Sequence, residues 1–187
     1  MEEKELWNKL RSGETKAFEE IYRKYFSLLY RYGKSFSKDQ STIEDCIQQM
    51  FIDIWNSRER LSETNAIKPY LFVSLKRRLF HSLKKNKRVS EQEIEEIHFE
   101  AELAIDQIMI NNEMKIEQID ALKSAFSNLS DRQKEILYLK YYSNMSYDEI
   151  SETMDLNYQS ARNLVSRALV KLSKYILILI IVIIALK

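Results

Sequence analysis

The scarcity of turn residues constrains this chain more than any other feature. Its 187 residues include two glycines, Gly13 and Gly33, and one proline, Pro69. Strands joined by tight turns need many more of these residues, and so do the Gly-rich loops that bind nucleotide phosphates. Leu, Ile, Lys, Glu, Ser and Tyr dominate instead. We therefore expect an all-α protein with one ordinary domain or two small ones.

Residue counts also disfavour several functional classes. The chain has one cysteine, Cys46, so no intrachain disulfide can form, and two histidines, His81 and His98, do not complete a zinc site with it. No nucleophile is paired with a base, so we expect neither an enzyme nor a cofactor. The first ten residues form no apolar signal segment, which predicts a cytoplasmic protein. Metalloenzymes, dehydrogenases, P-loop NTPases and secreted proteins are thus disfavoured.

Charges lie in blocks that the net charge of +1 hides. Residues 66–90 carry eight lysines and arginines and no acid. Residues 91–120 carry ten acids and one base, and residues 156–187 carry five bases and no acid. This pattern indicates two polyanion-binding modules joined by an acidic linker. The alternative is that the charges only solvate helix surfaces, but the absence of acids from both basic stretches favours the first interpretation.

Apolar residues recur at helical spacing in the first half of the chain. The first stripe is Phe18, Ile21, Tyr22, Tyr25, Leu29 and Tyr32. The second is Ile43, Cys46, Ile47, Met50, Phe51, Ile54 and Trp55. Opposite the second stripe lies a face made of Glu44, Asp45, Gln48, Gln49, Ile52 and Asp53. Because that face is polar without being basic, it suits a protein partner better than DNA.

A third helix is predicted to begin near Pro69, a residue favoured in the first helical turn. Its apolar side is Leu71, Phe72, Leu75, Leu79 and Leu83. Its other side is Tyr70, Ser74, Arg77, His81, Lys84 and Arg88. A basic and aromatic stripe with an apolar back suits docking on a nucleic acid.

The second half of the chain begins with the acidic residues 89–118, which we interpret as a partly helical linker. A second module, residues 119–175, follows it. Ser130 is predicted to cap a helix that has Asp131 in its first turn. Core positions are assigned to Leu122, Ala125, Phe126, Leu129, Ile136, Leu137, Leu139 and Tyr141.

Residues 147–167 have the spacing of a helix-turn-helix. Its apolar positions are Ile150, Met154, Leu156, Ala161 and Leu164, with the small residue Ser151 near the helix crossing. Asp155 takes the turn position that is usually glycine, and Asn157 is predicted to cap the second helix. The exposed face of that helix holds Tyr158, Gln159, Ser160, Arg162, Asn163, Ser166 and Arg167. Such side chains can reach base edges or hold phosphates.

The order and spacing of six segments resemble one protein family. These segments are residues 12–25, 44–55, 70–78, 129–136, 146–150 and 160–168. Together they resemble bacterial RNA polymerase sigma factors of the extracytoplasmic-function (ECF) group of the sigma-70 family, in the style of members from Bacteroidetes. The resemblance implies two small helical domains, sigma region 2 at residues 1–88 and sigma region 4 at residues 119–175. It also implies an alternative sigma factor that binds core RNA polymerase and directs promoter-specific initiation.

The resemblance assigns two sets of residues in the first domain. The clamp helices of the polymerase largest subunit would be bound by Asp45, Gln48, Gln49 and Asp53. The −10 promoter element would be bound by Tyr70, Lys76, Arg77, Arg78, His81, Lys84 and Arg88. The loop at residues 56–68 is expected to form the pocket for a flipped base.

In the second domain, the resemblance assigns recognition of the −35 promoter element to Gln159, Ser160, Arg162, Asn163, Ser166 and Arg167. The polymerase β flap is expected to contact the apolar surface of this domain. The family pattern also implies an anti-sigma partner, which could hold the protein at the inner membrane.

The last segment, residues 176–187, is an apolar tail outside the family pattern. At about 1.5 Å per residue, the twelve apolar residues 175–186 would extend about 18 Å, less than the roughly 30 Å core of a bilayer. Three roles for the tail remain open. It packs on the module or on another copy of the chain, it is covered by an anti-sigma partner, or it contacts the membrane. Two rival functions also remain, a stand-alone helix-turn-helix regulator and a membrane-associated adaptor.

Overall fold

The computed structural model describes residues 3–87, 98–100 and 123–185 of this chain. It divides the chain into two compact units, Met1–Ile97 and His98–Lys187. Every regular element within the described ranges is helical, which confirms the predicted all-α class. Arg88 and nearly all of the predicted acidic linker lie outside the described residues.

The described part of the first unit contains four α-helices. They are α1 (Glu3–Arg11), α2 (Thr15–Lys34), α3 (Gln40–Ser57) and α4 (Ile67–Lys87), with a 3-10 turn at Arg58–Arg60. Gly13 adopts a φ of +90°, which a residue with a side chain rarely tolerates, and it turns the chain between α1 and α2. Pro69 lies in the first turn of α4 as predicted, although the helix begins two residues earlier.

The predicted apolar stripes form the core of the first unit, except that four of their residues, including Trp55 on α3, are only half-buried. Phe18 and Tyr22 at the start of α2 are only half-buried, because they cover the outer edge of α3 rather than the centre of the bundle. Leu83 is also half-buried near the end of α4. Gly33 marks a close helix approach, since a Cβ there would lie 2.6 Å from Cγ2 of Ile43 on α3.

Helix α1, which the sequence patterns did not predict, closes the core of the first unit. Leu6, Trp7 and Leu10 are all buried. The Trp7 indole Nε1 donates a hydrogen bond of 2.9 Å to the carbonyl of Ser62. Its ring packs edge-on against Tyr70, with ring centres 5.2 Å apart, so α1 supports the first turns of α4.

The carboxylate of Glu3 joins three helices. It accepts hydrogen bonds from the buried Tyr25 hydroxyl, from Lys24 Nζ at 3.0 Å and from the backbone N–H of Ile67 at 3.2 Å. Burial opposes ionisation, but these donors outweigh it and hold the pKa of Glu3 below its ordinary value of 4.5. The position of the α4 N-terminus therefore depends on a negative charge on α1.

The described part of the second unit contains a helical turn at residues 123–127 and three longer elements. These are α5 (Asp131–Leu137), α6 (Tyr147–Met154) and α7 (Tyr158–Ala185). Ser130 caps α5 as predicted and shares a capping box with Gln133, and Ser146 and Glu149 form the same arrangement on α6. The predicted tail forms the C-terminal turns of α7 as far as Ala185.

A π-helical turn at Tyr138–Tyr142 corrects the predicted core of the second unit. Tyr141 was assigned to the core but is 57% exposed, whereas Tyr138 is buried. The wider turn, in which the Ser143 N–H bonds to the carbonyl of Tyr138, shifts the buried face. Phe99, in the segment predicted as linker, is buried and packs edge-on against Tyr138 at 5.7 Å.

We expect Glu3→Gln to lower the free energy of unfolding by about 1–3 kcal/mol, because three donors lose a charged acceptor. Glu3 has a folded-state pKa below its ordinary value. Its contribution is therefore fully present above about pH 4.5 and is lost as the pH falls through the lowered pKa. Urea unfolding at a series of pH values measures both effects. Glu19→Gln, an exposed change on α2, is the control, and a pH-independent difference between wild type and Glu3→Gln would contradict the prediction.

Candidate functional site

The polar face of α3 is exposed, as its sequence pattern predicts. Asp45, Gln48, Gln49 and Asp53 all point to solvent, and Ile52 among them is 49% exposed. The Gln49 side-chain Nε2 donates a hydrogen bond of 2.9 Å to Oδ1 of Asp53. The face thus combines exposed acids and amides with one apolar side chain, a mixture that suits contact with a protein.

Helix α4 presents the predicted basic and aromatic stripe. Arg77 and His81 are exposed, Tyr70 is 36% exposed, and Arg78 and Lys84 are half-buried. Burial raises the pKa of the Tyr70 hydroxyl, and a hydrogen bond with Ser74 partly opposes the shift. Tyr70 is therefore neutral at physiological pH and offers a ring face and a hydroxyl.

One residue of the predicted set lies elsewhere on α4. Lys76 is half-buried, and its Nζ lies over the rings of Phe36 at 5.5 Å and Phe80 at 5.8 Å. Lys76 follows Tyr70 by six residues, whereas Arg77 and His81 follow it by seven and eleven. At 3.6 residues per turn, seven and eleven residues are close to whole turns and six is not, so Lys76 lies on a different side of α4. The structure therefore separates Lys76 from the other predicted α4 residues.

A cavity of about 430 Å³ opens between α3 and α4. It is lined by Met50, Asp53, Ile54, Ser57, Tyr70, Ser74, Arg77, Arg78 and His81. The lining draws on both predicted surfaces, including Asp53 of the α3 face and four residues of the α4 set. Ser57 is its only member from the loop that the family resemblance assigned to the flipped base.

The helix-turn-helix forms where the sequence predicts it. Asp155 adopts the left-handed conformation, with φ 51° and ψ 58°, in the turn between α6 and α7. Asn157 caps α7, since its Oδ1 accepts a 2.8 Å hydrogen bond from the N–H of Ser160. Ile150, Met154 and Ala161 are buried as predicted.

Two positions of the helix-turn-helix pattern are less buried than predicted. Leu156 and Leu164 are half-buried. Val165 and Ala168, which the helix-turn-helix pattern did not single out, are buried and extend the packed side of α7.

The predicted reading face of α7 points to solvent. Gln159, Arg162, Asn163, Ser166 and Arg167 are exposed, and Ser160 is half-exposed beside its cap. Polar contacts order parts of this face. Gln159 Nε2 donates to Oδ1 of Asn163 at 3.1 Å, and Arg167 Nε donates to the Asn163 carbonyl at 3.4 Å.

An aromatic pair, which sequence reasoning missed, joins the two helices of the helix-turn-helix. Tyr147 and Tyr158 are the first residues of α6 and α7, and their rings lie edge-on at 5.7 Å. Lys140 lies over the Tyr147 ring at 4.5 Å, and the Arg162 guanidinium lies over the Tyr158 ring at 5.9 Å. The signal was the recurrence of tyrosine directly after each capping residue.

Three other observations bear on the predictions. Cys46 is buried in the α3 stripe as predicted, and burial raises the pKa of its thiol. Across residues 3–87, 98–100 and 123–185, no group of three His, Cys, Asp or Glu side chains could hold a metal ion. Within those same ranges, no helix is both long and apolar enough to cross a membrane.

Two sequence families match this chain. Residues 21–89 match the family described as Sigma-70 region 2, and residues 119–172 match Sigma-70, region 4. The chain is similar to the ECF RNA polymerase sigma factor SigM of Bacillus subtilis (strain 168). The two are 25% identical over 153 residues, which cover 80% of this chain and 89% of that protein.

Solved structures share the fold. One is CnrH in complex with the cytosolic domain of CnrY, with a TM-score of 0.62, 18% identity, and coverage of 93% of this chain and 96% of that one. Another is the sigma factor RpoE from Bartonella quintana in complex with the anti-sigma factor NepR. That match has a TM-score of 0.58, 20% identity, and coverage of 86% and 96% respectively.

We expect Asp155→Ala to be less stable than Asp155→Gly by about 1 kcal/mol, because a Cβ is strained in the left-handed turn. Asp148, exposed in the first turn of α6, provides a matched control where the order should reverse. Scanning calorimetry of the four variants measures the differences. Equal stability of Asp155→Ala and Asp155→Gly would mean that the turn carries no such strain.

Proposed function

This chain belongs to the sigma-70 family of RNA polymerase sigma factors, and we propose a division of work between its two units. It is an alternative sigma factor of the ECF type that directs promoter-specific transcription initiation. The first unit binds core polymerase and the −10 element, and the second unit binds the −35 element. The observation that carries this division is the exposure of a non-basic polar face and two separate basic faces on one chain.

The α3 face is the proposed polymerase contact. Its four polar residues, Asp45, Gln48, Gln49 and Asp53, are exposed, and Ile52 adds an apolar contact at the centre. An exposed apolar side chain ringed by polar ones is typical of the energetically important part of a protein interface. The clamp helices of the largest polymerase subunit are the proposed partner, and the β flap is the proposed partner of the second unit.

The stripe on α4 is the proposed −10 contact. Arg77, Arg78 and Lys84 supply positive charge for phosphates, His81 supplies a ring N–H donor, and Tyr70 supplies a ring on which an unpaired base can stack. Arg88 follows Lys84 by four residues in the sequence and lies outside the described residues. The position of Lys76 over two phenylalanine rings gives it a secondary role, as a charge near the stripe rather than a contact within it.

The exposed face of α7 is the proposed −35 contact. Gln159, Arg162 and Asn163 have side chains that can bond to base edges in the major groove, while Ser160, Ser166 and Arg167 suit phosphates. The Tyr158 ring beside Arg162 supports its guanidinium near the start of the helix. A helix-turn-helix places this part of its second helix against DNA.

An anti-sigma factor is the proposed regulatory partner. RpoE of Bartonella quintana, which shares this fold, was solved with the anti-sigma factor NepR, and CnrH with the cytosolic domain of CnrY. Because a sigma factor works on promoter DNA, we place the protein in the cytoplasm. A membrane-bound anti-sigma partner would hold it at the inner membrane.

The main test is transcription of pooled genomic DNA by core polymerase, with and without this protein, followed by mapping of the RNA 5′ ends. We expect new start sites that share two upstream elements. The double variant Asp45→Lys with Gln48→Ala should abolish them, because both side chains are exposed on the proposed contact. Glu20→Lys, an exposed charge reversal on α2, is the control. Sequence-specific duplex binding without any core binding would instead favour a stand-alone regulator.

We expect Arg162→Ala to weaken binding to a duplex containing the −35 element by roughly 1–3 kcal/mol, with relaxed discrimination at one base position. Fluorescence anisotropy on single-base variants of the site measures both quantities. Lys174→Ala removes the same charge from an exposed position farther along α7 and is the control. A uniform loss across all site variants would make Arg162 a phosphate contact.

A further inference from the structure

An ion pair joins the two proposed surfaces of the first unit. Arg78 on α4 donates through Nη2 to Oδ2 of Asp53 on α3, and Oδ1 of the same carboxylate accepts from Gln49. Asp53 belongs to the proposed polymerase contact and Arg78 to the proposed DNA contact. A guanidinium proposed to bind promoter phosphates is therefore paired with a carboxylate proposed to bind polymerase.

The pair is accessible enough to exchange partners. The side chains of Arg78 and Asp53 are 33% and 51% exposed, and both line the cavity between α3 and α4. An ion pair with this exposure contributes little to stability. Arg77 also lines this cavity and is exposed, but the arginine that pairs with Asp53 is Arg78.

We propose that Asp53 is a positioning residue that holds Arg78 away from DNA in the free protein and releases it when polymerase engages Asp53. This inference rests on the proposed function. A donor on the polymerase clamp that binds the Asp53 carboxylate competes with Arg78 for it. The freed guanidinium can then bind a backbone phosphate of the −10 strand. Each ligand thereby favours the other.

Linkage sets the size of the effect. If polymerase binding breaks the Arg78–Asp53 pair, its affinity is reduced by the strength of that pair, and DNA binding gains by the same factor. Exposed ion pairs correspond to about a two- to fivefold change in affinity. The coupling expected from this single ion pair is thus modest. Its detection requires a control variant that removes the same charge elsewhere on the protein.

The first experiment titrates the free full-length protein against a fluorescent single-stranded DNA of mixed sequence. Asp53→Ala should bind about two- to fivefold more tightly than wild type, because Arg78 becomes available. Its dependence on salt should steepen by about 0.7 in log–log slope, the value for one additional phosphate contact on single-stranded DNA. Glu44→Ala removes the same charge from an exposed position on α3 and is the matched control.

Two arginine backgrounds identify the released residue. The gain from Asp53→Ala should disappear when Arg78 is changed to Gln, and it should persist when Arg77 is changed to Gln. The inference would be overturned if Asp53→Ala behaves like Glu44→Ala, or if the gain survives in the Arg78→Gln background. Urea midpoints of all variants, which a purely structural pair would shift, are measured alongside the salt slopes.

The second experiment measures binding to core polymerase. Arg78→Gln should strengthen that binding by a similar two- to fivefold factor when Asp53 is present, and it should have no effect in an Asp53→Ala background. Unchanged binding of Arg78→Gln would overturn the inference while leaving the proposed function in place. A wild-type protein that does not bind core polymerase at all would overturn the proposed function itself.

Discussion

The geometry of the first unit depends on the hydrogen bonds that the Glu3 carboxylate accepts. This carboxylate brings a buried tyrosine hydroxyl of α2 and the backbone N–H of Ile67, the first residue of α4, to one negative charge on α1. Helix N-termini carry unpaired N–H groups and a partial positive charge, so an acid placed there both satisfies and orients them. The stripe of α4 starts only three residues later at Tyr70, whose ring rests on Trp7 of the same short helix. The proposed promoter contact is therefore aligned from its first turn by α1.

Local chemistry explains what could be predicted from the sequence. Caps at Ser130 and Asn157, the left-handed turn at Asp155 and the stripes of α2 and α3 each depend on residues within a few positions of one another. Helix α1, which was not predicted, and Tyr141, which was wrongly assigned to the core, depend on features that local patterns do not contain. Helix α1 is short and is held mainly by distant partners, and a π-helical turn breaks the 3.6-residue periodicity from which the core was assigned.

The same distinction between local patterns and long-range contacts applies to the candidate site. Periodicity correctly predicted which faces of α3 and α7 are exposed, because a face is a property of one helix. It could not predict that Arg78 pairs with Asp53, since 25 residues separate them and their meeting depends on how α3 packs on α4. Lys76 shows the opposite case, because the family resemblance grouped it with neighbours from which the helical turn separates it. Roles in binding remain assignments from family resemblance and surface chemistry.

Helix α7 has a mechanical consequence. It runs without interruption over 28 residues, about 42 Å at 1.5 Å per residue, so the proposed DNA-reading turns and the C-terminal turns belong to one rod. Ala161, Val165 and Ala168 are buried, so the rest of the second unit fixes the rotation of this rod about its own axis. A load on the C-terminal turns would therefore act through a lever arm, and it would tilt the DNA-reading turns without changing which side chains face the groove.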